Sequence, residues 1–130
     1  MAYKVLLVDD NTDCRELFGM MIHHLGFEVL HADDGELGVQ KALSAQPDLI
    51  FMDLGMPNMN GMEAVRCLKA SAVTKNTPIV ICTAWIDARG RADALQMGAQ
   101  EIVTKPVAVD LLQRVLLRYL PTPTAVLEVQ

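Results

Sequence analysis

Acidic, hydroxyl and ammonium side chains stand at the ends of short apolar runs in this chain. Asp9 and Asp10 directly follow one such run, and Asp53 directly follows another. Thr83 closes a third run, and Lys105 comes just after a fourth. A carboxylate can act as a nucleophile and form an aspartyl phosphate. A hydroxyl and an ammonium group can hydrogen-bond or neutralise phosphoryl oxygens. The set therefore predicts phosphoryl chemistry.

The three aspartates also predict a metal site. Carboxylates that converge repel one another, and a divalent cation removes the conflict. Mg²⁺ prefers oxygen ligands, keeps several waters and is usually held by one or two carboxylates together with phosphate oxygens. We expect Asp9, Asp10 and Asp53 to hold Mg²⁺, with Mn²⁺ as a substitute.

A repeated alternation of strands and helices is the scaffold that the pattern predicts. Apolar runs predict strands at 5–8, 27–32, 49–52, 79–82 and 101–104. Helical spacing predicts helices at 14–25, 35–44, 62–70, 87–97 and 111–119, with Gly38 unfavourable inside the second. Short connections favour an α/β fold with a parallel sheet and helices on both faces. Ligands of such sheets bind beyond the carboxyl ends of the strands, where the predicted site residues would meet.

Composition narrows the function classes. The 130 residues fit one domain, which we place at 1–120, with 121–130 as a tail or the start of a linker. The net charge is −5 with no basic block, which argues against direct nucleic-acid binding. No apolar run reaches the roughly 18 residues of a membrane span, and the first residues lack signal-peptide features. A cytoplasmic location is expected.

The cysteines agree with a reducing compartment. Cys14, Cys67 and Cys82 are scattered and odd in number, which argues against a disulfide framework. Each stands at an apolar-looking helix or strand position. We therefore expect all of them to be inert core residues.

Four motifs together suggest a family. They are Val-Asp-Asp-Asn at 8–11, Met-Asp-Leu-Gly-Met-Pro-Asn-Met-Asn-Gly at 52–61, Thr-Ala at 83–84 and Thr-Lys-Pro at 104–106. With these motifs in this order, the chain resembles the receiver domain of bacterial two-component response regulators from about residue 4 to residue 120. The resemblance implies a flavodoxin-like, three-layer, doubly wound (βα)5 fold with a five-stranded parallel sheet in the order 2-1-3-4-5.

The resemblance also implies roles at the metal site. Asp53 matches the phosphoacceptor. Asp9 and Asp10 match the acidic pair that positions Mg²⁺, with Asp10 as the direct ligand and Asp9 often acting through water. The backbone carbonyl of Gly55 matches the third protein ligand.

Two further residues match the family's phosphate contacts. Thr83 matches the switch hydroxyl, and Lys105 matches the phosphate-binding lysine, whose bond to Pro106 is usually cis in this family. The chain departs from the family at Ile102, where an aromatic residue often rotates inward on activation; signal transmission here must use other packing. Trp85 is a bulky residue at a position that tunes phosphoryl lifetime in the family, and packing is an equally good explanation for it.

The resemblance implies a signalling switch that turns over no external substrate. A sensor histidine kinase or phosphotransfer protein would supply the phosphoryl group. A downstream protein target or output domain would respond, and a phosphorylation-dependent homodimer is a further hypothesis. A phosphatase of the haloacid-dehalogenase type is one alternative, although its second aspartate is replaced by Asn11. A receiver-like module that never takes phosphate is the other.

Overall fold

The chain forms a regular alternation of strands and helices. A computed structural model describes residues 2–56 and 59–120, so the predicted tail at 121–130 lies outside the described residues. The strands are β1 (Lys4–Val8), β2 (Glu28–Ala32), β3 (Leu49–Met52), β4 (Ile79–Thr83) and β5 (Glu101–Thr104). The helices are α1 (Thr12–His24), α2 (Gly35–Ala45), α3 (Gly61–Ala70), α4 (Ala88–Met97) and α5 (Val109–Tyr119).

The sheet is parallel with the order β2-β1-β3-β4-β5, which confirms the predicted fold. β1 is therefore flanked by β2 and β3, and the chain reverses direction across the sheet at this point. Hydrogen bonds continue the ladder past the strand ends: the Asp9 amide donates to the Ala32 carbonyl at 3.0 Å, and the Asp53 amide donates to the Val8 carbonyl at 2.9 Å. The first residue after β1 and the first after β3 are thus held at one edge of the sheet.

Two apolar cores lie on opposite faces of the sheet. Leu6 and Val8 of β1 join a core that includes buried residues of α2, α3 and α4. Val5 and Leu7 join the other core, with buried residues of α1 and α5. Central parallel strands must be apolar on both faces because helices cover both. None of the helices within 2–56 and 59–120 is long and apolar enough to cross a membrane.

Gly38 allows α2 to lie close to β1. A Cβ atom added at Gly38 would lie 2.9 Å from both γ-carbons of Val8, a distance that side chains do not tolerate. The glycine that is unfavourable for helix propensity is therefore required by helix–strand packing. Local hydrogen bonds start the helices, since Asn11 accepts from the Cys14 amide at 2.9 Å and Asp34 accepts from the Leu37 amide at 2.7 Å.

The prediction that every cysteine lies in the core is wrong. Cys82 on β4 is buried, but Cys14 on α1 and Cys67 on α3 are exposed. Leu17, which belongs to the apolar pattern of α1, is also 61% exposed. The apolar stripe of α1 is wider than the part that the sheet covers, because only the side that bears Ile22 faces the core. Periodicity finds such a stripe but does not show which edge of it stays open.

Candidate functional site

Three carboxylates converge at the carboxyl edge of the sheet. One ligand oxygen each from Asp9, Asp10 and Asp53 can be chosen so that all lie within 4.8 Å of one another. Asp9 is buried, Asp53 is half-buried and Asp10 is exposed. The residues that the sequence predicted for the metal site are thus brought together, and the cluster is open to solvent on the side of Asp10.

Lys105 joins two of these carboxylates. Its ammonium nitrogen lies 2.5 Å from Asp9 Oδ2 and 3.1 Å from Asp53 Oδ2. Desolvation alone would lower the pKa of Lys105, but the hydrogen bonds and charges of Asp9 and Asp53 outweigh it and raise that pKa above its usual range. The lysine therefore carries its full charge at neutral pH and offsets part of the repulsion in the cluster.

Backbone amides hold the remaining oxygens of the same two aspartates. Asp9 Oδ1 accepts from the Asn11 amide at 2.9 Å, and Asp53 Oδ1 accepts from the Gly55 amide at 3.3 Å. Each carboxylate is thus held by the turn that follows it on one oxygen and by Lys105 on the other. Their orientations are set before any ligand binds, which is the usual condition of an efficient site.

The chain folds tightly back over Asp53 at the start of α3. A Cβ atom at Gly61 would lie 2.2 Å from the backbone oxygen of Asp53, so only glycine fits there. The Gly61 amide donates to the Leu54 carbonyl at 3.1 Å and closes this loop. Residues 57 and 58 of the predicted loop motif lie outside the described residues.

The ends of β4 and β5 place Thr83 beside the lysine. Thr83 is buried, and its carbonyl accepts from the Lys105 amide at 2.9 Å. The peptide bond from Lys105 to Pro106 is cis, as the family resemblance implies. Thr83 and Lys105 therefore belong to the same edge of the sheet as the three aspartates.

Trp85, at the position that the resemblance links to phosphoryl lifetime, and Gly55, two residues after Asp53, are both open to solvent. Trp85 is 75% exposed, which does not support the reading of this residue as a packing group. Gly55 is exposed, and a Cβ atom added there would meet nothing within 4 Å. Ile102 packs as a half-buried residue against the core on the α2, α3 and α4 side of the sheet.

Sequence reasoning missed Arg15 and an apolar cavity next to the site. The Arg15 Nη1 atom donates to the backbone oxygen of Asp9 at 2.7 Å. A cavity of about 450 Å³ opens between α1, the sheet and the segment after Lys105, and Asp9, Arg15, Asp53 and Lys105 reach its wall. No sequence signal identifies Arg15, because a side chain that binds a backbone oxygen imposes no residue type on its partner.

The donor set fits a hard divalent cation. The three side chains offer only carboxylate oxygens, and the exposed carboxylate of Asp10 leaves the cluster accessible. Oxygen-only ligands select Mg²⁺ or a similar ion. The cluster is therefore able to bind a metal ion.

Comparison with known proteins gives one consistent family. The model of the "Response regulator receiver domain" matches residues 5–117. The phosphate regulon transcriptional regulatory protein PhoB of Klebsiella pneumoniae is 32% identical over 106 residues, which are 82% of this chain and 46% of that protein. Protein PilH of Pseudomonas aeruginosa is 36% identical over 105 residues, which are 80% of this chain and 86% of that protein. The chain thus spans about half the length of PhoB and most of PilH.

Solved structures agree with this family. The chemotaxis protein CheY4 of Vibrio cholerae superimposes with a TM-score of 0.87 at 32% identity, covering 92% of this chain and 100% of that one. The receiver domain of the sensor histidine kinase PA1611 of Pseudomonas aeruginosa, described with a magnesium ion in its active-site cleft, gives a TM-score of 0.86 at 30% identity and covers 94% of this chain and 100% of that one. These matches count against a phosphatase of the haloacid-dehalogenase type. This chain belongs to the response regulator receiver domain family.

Proposed function

We propose that the chain is the phosphoacceptor of a two-component phosphorelay and that Asp53 takes the phosphoryl group. The observation that carries the proposal is the bridge from Lys105 to Asp53 inside a cluster of three aspartates at the sheet edge. Of the three, Asp53 is half-buried and follows β3, the strand that pairs with β4, and Lys105 bridges it to Asp9. We assign the receiver unit to residues 1–120 and the tail or linker to 121–130.

The chemistry follows from the positions of these side chains. A carboxylate oxygen of Asp53 attacks the phosphorus of a phosphohistidine, an O–P bond forms, and the N–P bond breaks as the imidazole leaves. Lys105 neutralises charge on the transferred group, and the Thr83 hydroxyl donates a hydrogen bond to one of its oxygens. Water later hydrolyses the acyl phosphate, so the protein resets itself and turns over no external substrate.

Metal binding belongs to the same proposal. Asp10 and Asp53, together with the Gly55 carbonyl, would hold Mg²⁺ directly, and Asp9 would act through water. When bound, Mg²⁺ or Mn²⁺ supplies positive charge to the phosphoryl oxygens. Gly55 and Trp85 are both exposed, and we assign them to the control of phosphoryl lifetime through the access of water.

An apolar strip on α1 is the surface we assign to the phosphodonor. Leu17 is 61% exposed and Met20 is 69% exposed, and Cys14 extends the strip toward the acidic cluster. Leu17 and Cys14 also line the 450 Å³ cavity that reaches Asp53. A helix with apolar residues around its phosphohistidine, from a sensor kinase or phosphotransfer protein, would cover this strip and present the histidine to Asp53.

Output is assigned to the β5 side of the sheet, around α4, β5 and α5. Glu101 of β5 accepts hydrogen bonds from Arg118 and, at 2.7 Å, from the Tyr119 hydroxyl, and these bonds link β5 and α5 into one unit. Rearrangement of Lys105 and Thr83 around the phosphoryl group would shift this unit toward a protein target, an output domain or a second copy of the chain.

Three free cysteines suit a cytoplasmic location.

Intact-mass spectrometry tests the proposal. The chain is incubated with acetyl phosphate and Mg²⁺, with the Asp53→Asn variant alongside. We expect one phosphoryl addition that requires Mg²⁺ and is absent from the variant. A folded wild-type chain that gains no phosphoryl group would leave a phosphate-independent interaction module as the function.

A further inference from the structure

We propose that Arg15 is a positioning residue that fixes the peptide unit between Asp9 and Asp10 and thereby sets the affinity of the acidic pair for Mg²⁺. The inference rests on the metal site in the proposed function and adds a residue to it. Arg15 lies in the first turns of α1, and its Nη1 atom donates to the backbone oxygen of Asp9 at 2.7 Å. Its guanidinium therefore ties the helix to the turn that carries both carboxylates.

The other atoms of Asp9 already have partners. Its amide donates to the Ala32 carbonyl at 3.0 Å, and its two carboxylate oxygens accept from the Asn11 amide and from Lys105. The Asn11 bond closes a turn around the peptide plane that leads into Asp10, but none of these bonds engages the carbonyl of that plane. The bond from Arg15 to the Asp9 carbonyl holds that plane.

Asp10 depends on this plane more than the other aspartates do. Its side chain is exposed, whereas Asp9 and Asp53 are both bound to Lys105. Rotation of the peptide unit between Asp9 and Asp10 would swing the Asp10 carboxylate away from the other two. A carboxylate that must be ordered by the metal itself binds more weakly than one already in place.

The cost of the arrangement indicates a functional role. The Nε atom of Arg15 is buried and has no hydrogen-bond partner within residues 2–56 and 59–120. A buried polar group left unpaired costs about 1–3 kcal/mol. Sequences usually accept such a cost where a function depends on the geometry. Here the guanidinium donates to the Asp9 carbonyl through Nη1, while its Nε atom stays without a partner among the described residues.

The surroundings of Arg15 keep its charge available. Burial, first, and then the charges of Arg15 and Lys41 lower the pKa of His31, so this neighbour is neutral at pH 7. In the described part of the chain, Arg15 forms no ion pair with a carboxylate. The positive charge therefore stays near the acidic cluster. By charge alone, Arg15 would repel Mg²⁺. Removal of Arg15 would therefore strengthen Mg²⁺ binding if only its charge mattered, and would weaken Mg²⁺ binding if Arg15 positions the acidic pair.

The test is a Mg²⁺ titration by calorimetry of wild type, Arg15→Met and Arg15→Lys, with Arg66→Met as a matched control on the exposed surface of α3. Loss of a residue that orients a metal ligand weakens metal binding by about tenfold, and we expect this for Arg15→Met. Arg15→Lys should fall between it and wild type, and Arg66→Met should match wild type.

Affinity of folded Arg15→Met equal to or tighter than that of wild type would overturn the proposal. If Arg15→Met does not fold, the decision passes to Arg15→Lys, whose unchanged affinity would overturn it. The readout needs no phosphorylation. A wild-type chain that binds Mg²⁺ but takes no phosphoryl group would overturn the phosphoacceptor role of Asp53 and leave the role of Arg15 intact.

Discussion

The ammonium nitrogen of Lys105 lies 3.1 Å from a carboxylate oxygen of Asp53, although the two residues are 52 positions apart in the chain. The same nitrogen lies 2.5 Å from Asp9. Lys105 thus binds the carboxylates of Asp9 and Asp53. A metal ion or a phosphoryl group at this site would compete with Lys105 for the same carboxylates. The arrival of either ligand would rearrange these bonds, which would connect the chemistry proposed at Asp53 to the end of β5.

Replacement of Lys105 by Met is expected to separate metal binding from phosphoryl transfer. Met keeps the apolar stem but removes the charge, so Mg²⁺ no longer competes with an ammonium group and should bind several-fold more tightly. Phosphorylation by acetyl phosphate should slow by about 100-fold, because one charged donor to the transferred group is lost. Calorimetry and timed mass spectrometry measure the two effects. Weaker Mg²⁺ binding together with unchanged phosphorylation would contradict this role.

Gly61 and Gly55 provide a matched pair in the loop after Asp53. A Cβ atom at Gly61 would lie 2.2 Å from the Asp53 backbone oxygen, whereas one at Gly55 would meet open space. Gly61→Ala should lower the free energy of unfolding by about 1–3 kcal/mol. Gly55→Ala should change it by no more than about 0.5 kcal/mol. Urea unfolding measures the free energy of unfolding of both variants. Equal stability of the two would contradict this prediction and would show that the loop after Asp53 shifts to accept the added Cβ atom without cost.

The fold and the central site were accessible from the sequence for physical reasons. Parallel strands covered on both faces are continuous apolar runs, so β3 and β5 were predicted with their observed bounds, and the polar residues that end such runs must lie at one sheet edge. The exposure of Cys14 was not predictable, because a pattern of apolar residues does not specify how much of a helix face is covered. Arg15 was not predictable either, since its partner is a backbone oxygen.

The thiols should differ sharply in reactivity. Burial raises the pKa of Cys82 to about 12, so this cysteine stays a protonated thiol at pH 8, whereas Cys14 and Cys67 are exposed. Because the thiolate is the reactive form, iodoacetamide at pH 8 should label two sites in the folded chain and the third only after denaturation. Peptide mass mapping identifies the sites. Rapid labelling of Cys82 in the folded chain would mean that the α1 side of the sheet opens easily.

The surface assigned to the phosphodonor predicts a donor-specific defect. Leu17→Arg places a charge in the exposed strip on α1 and should slow phosphotransfer from a phosphohistidine protein by about tenfold, the usual loss at a well-placed apolar contact. Phosphorylation by acetyl phosphate should stay unchanged, because this donor needs no docking surface. Leu95→Arg, on the exposed side of α4, is the control. An equal loss for both variants, or a loss with acetyl phosphate, would refute the assignment.

The most direct test of the central claim is the location of the phosphoryl group in the chain. Borohydride reduces an aspartyl phosphate to homoserine, so peptide mass spectrometry after reduction identifies the acceptor. Asp53 should be converted to homoserine after treatment with acetyl phosphate and Mg²⁺, while Asp9 and Asp10 remain aspartate. Homoserine at position 9 or 10, or at no position in a chain that is folded and binds Mg²⁺, would contradict the role proposed for Asp53.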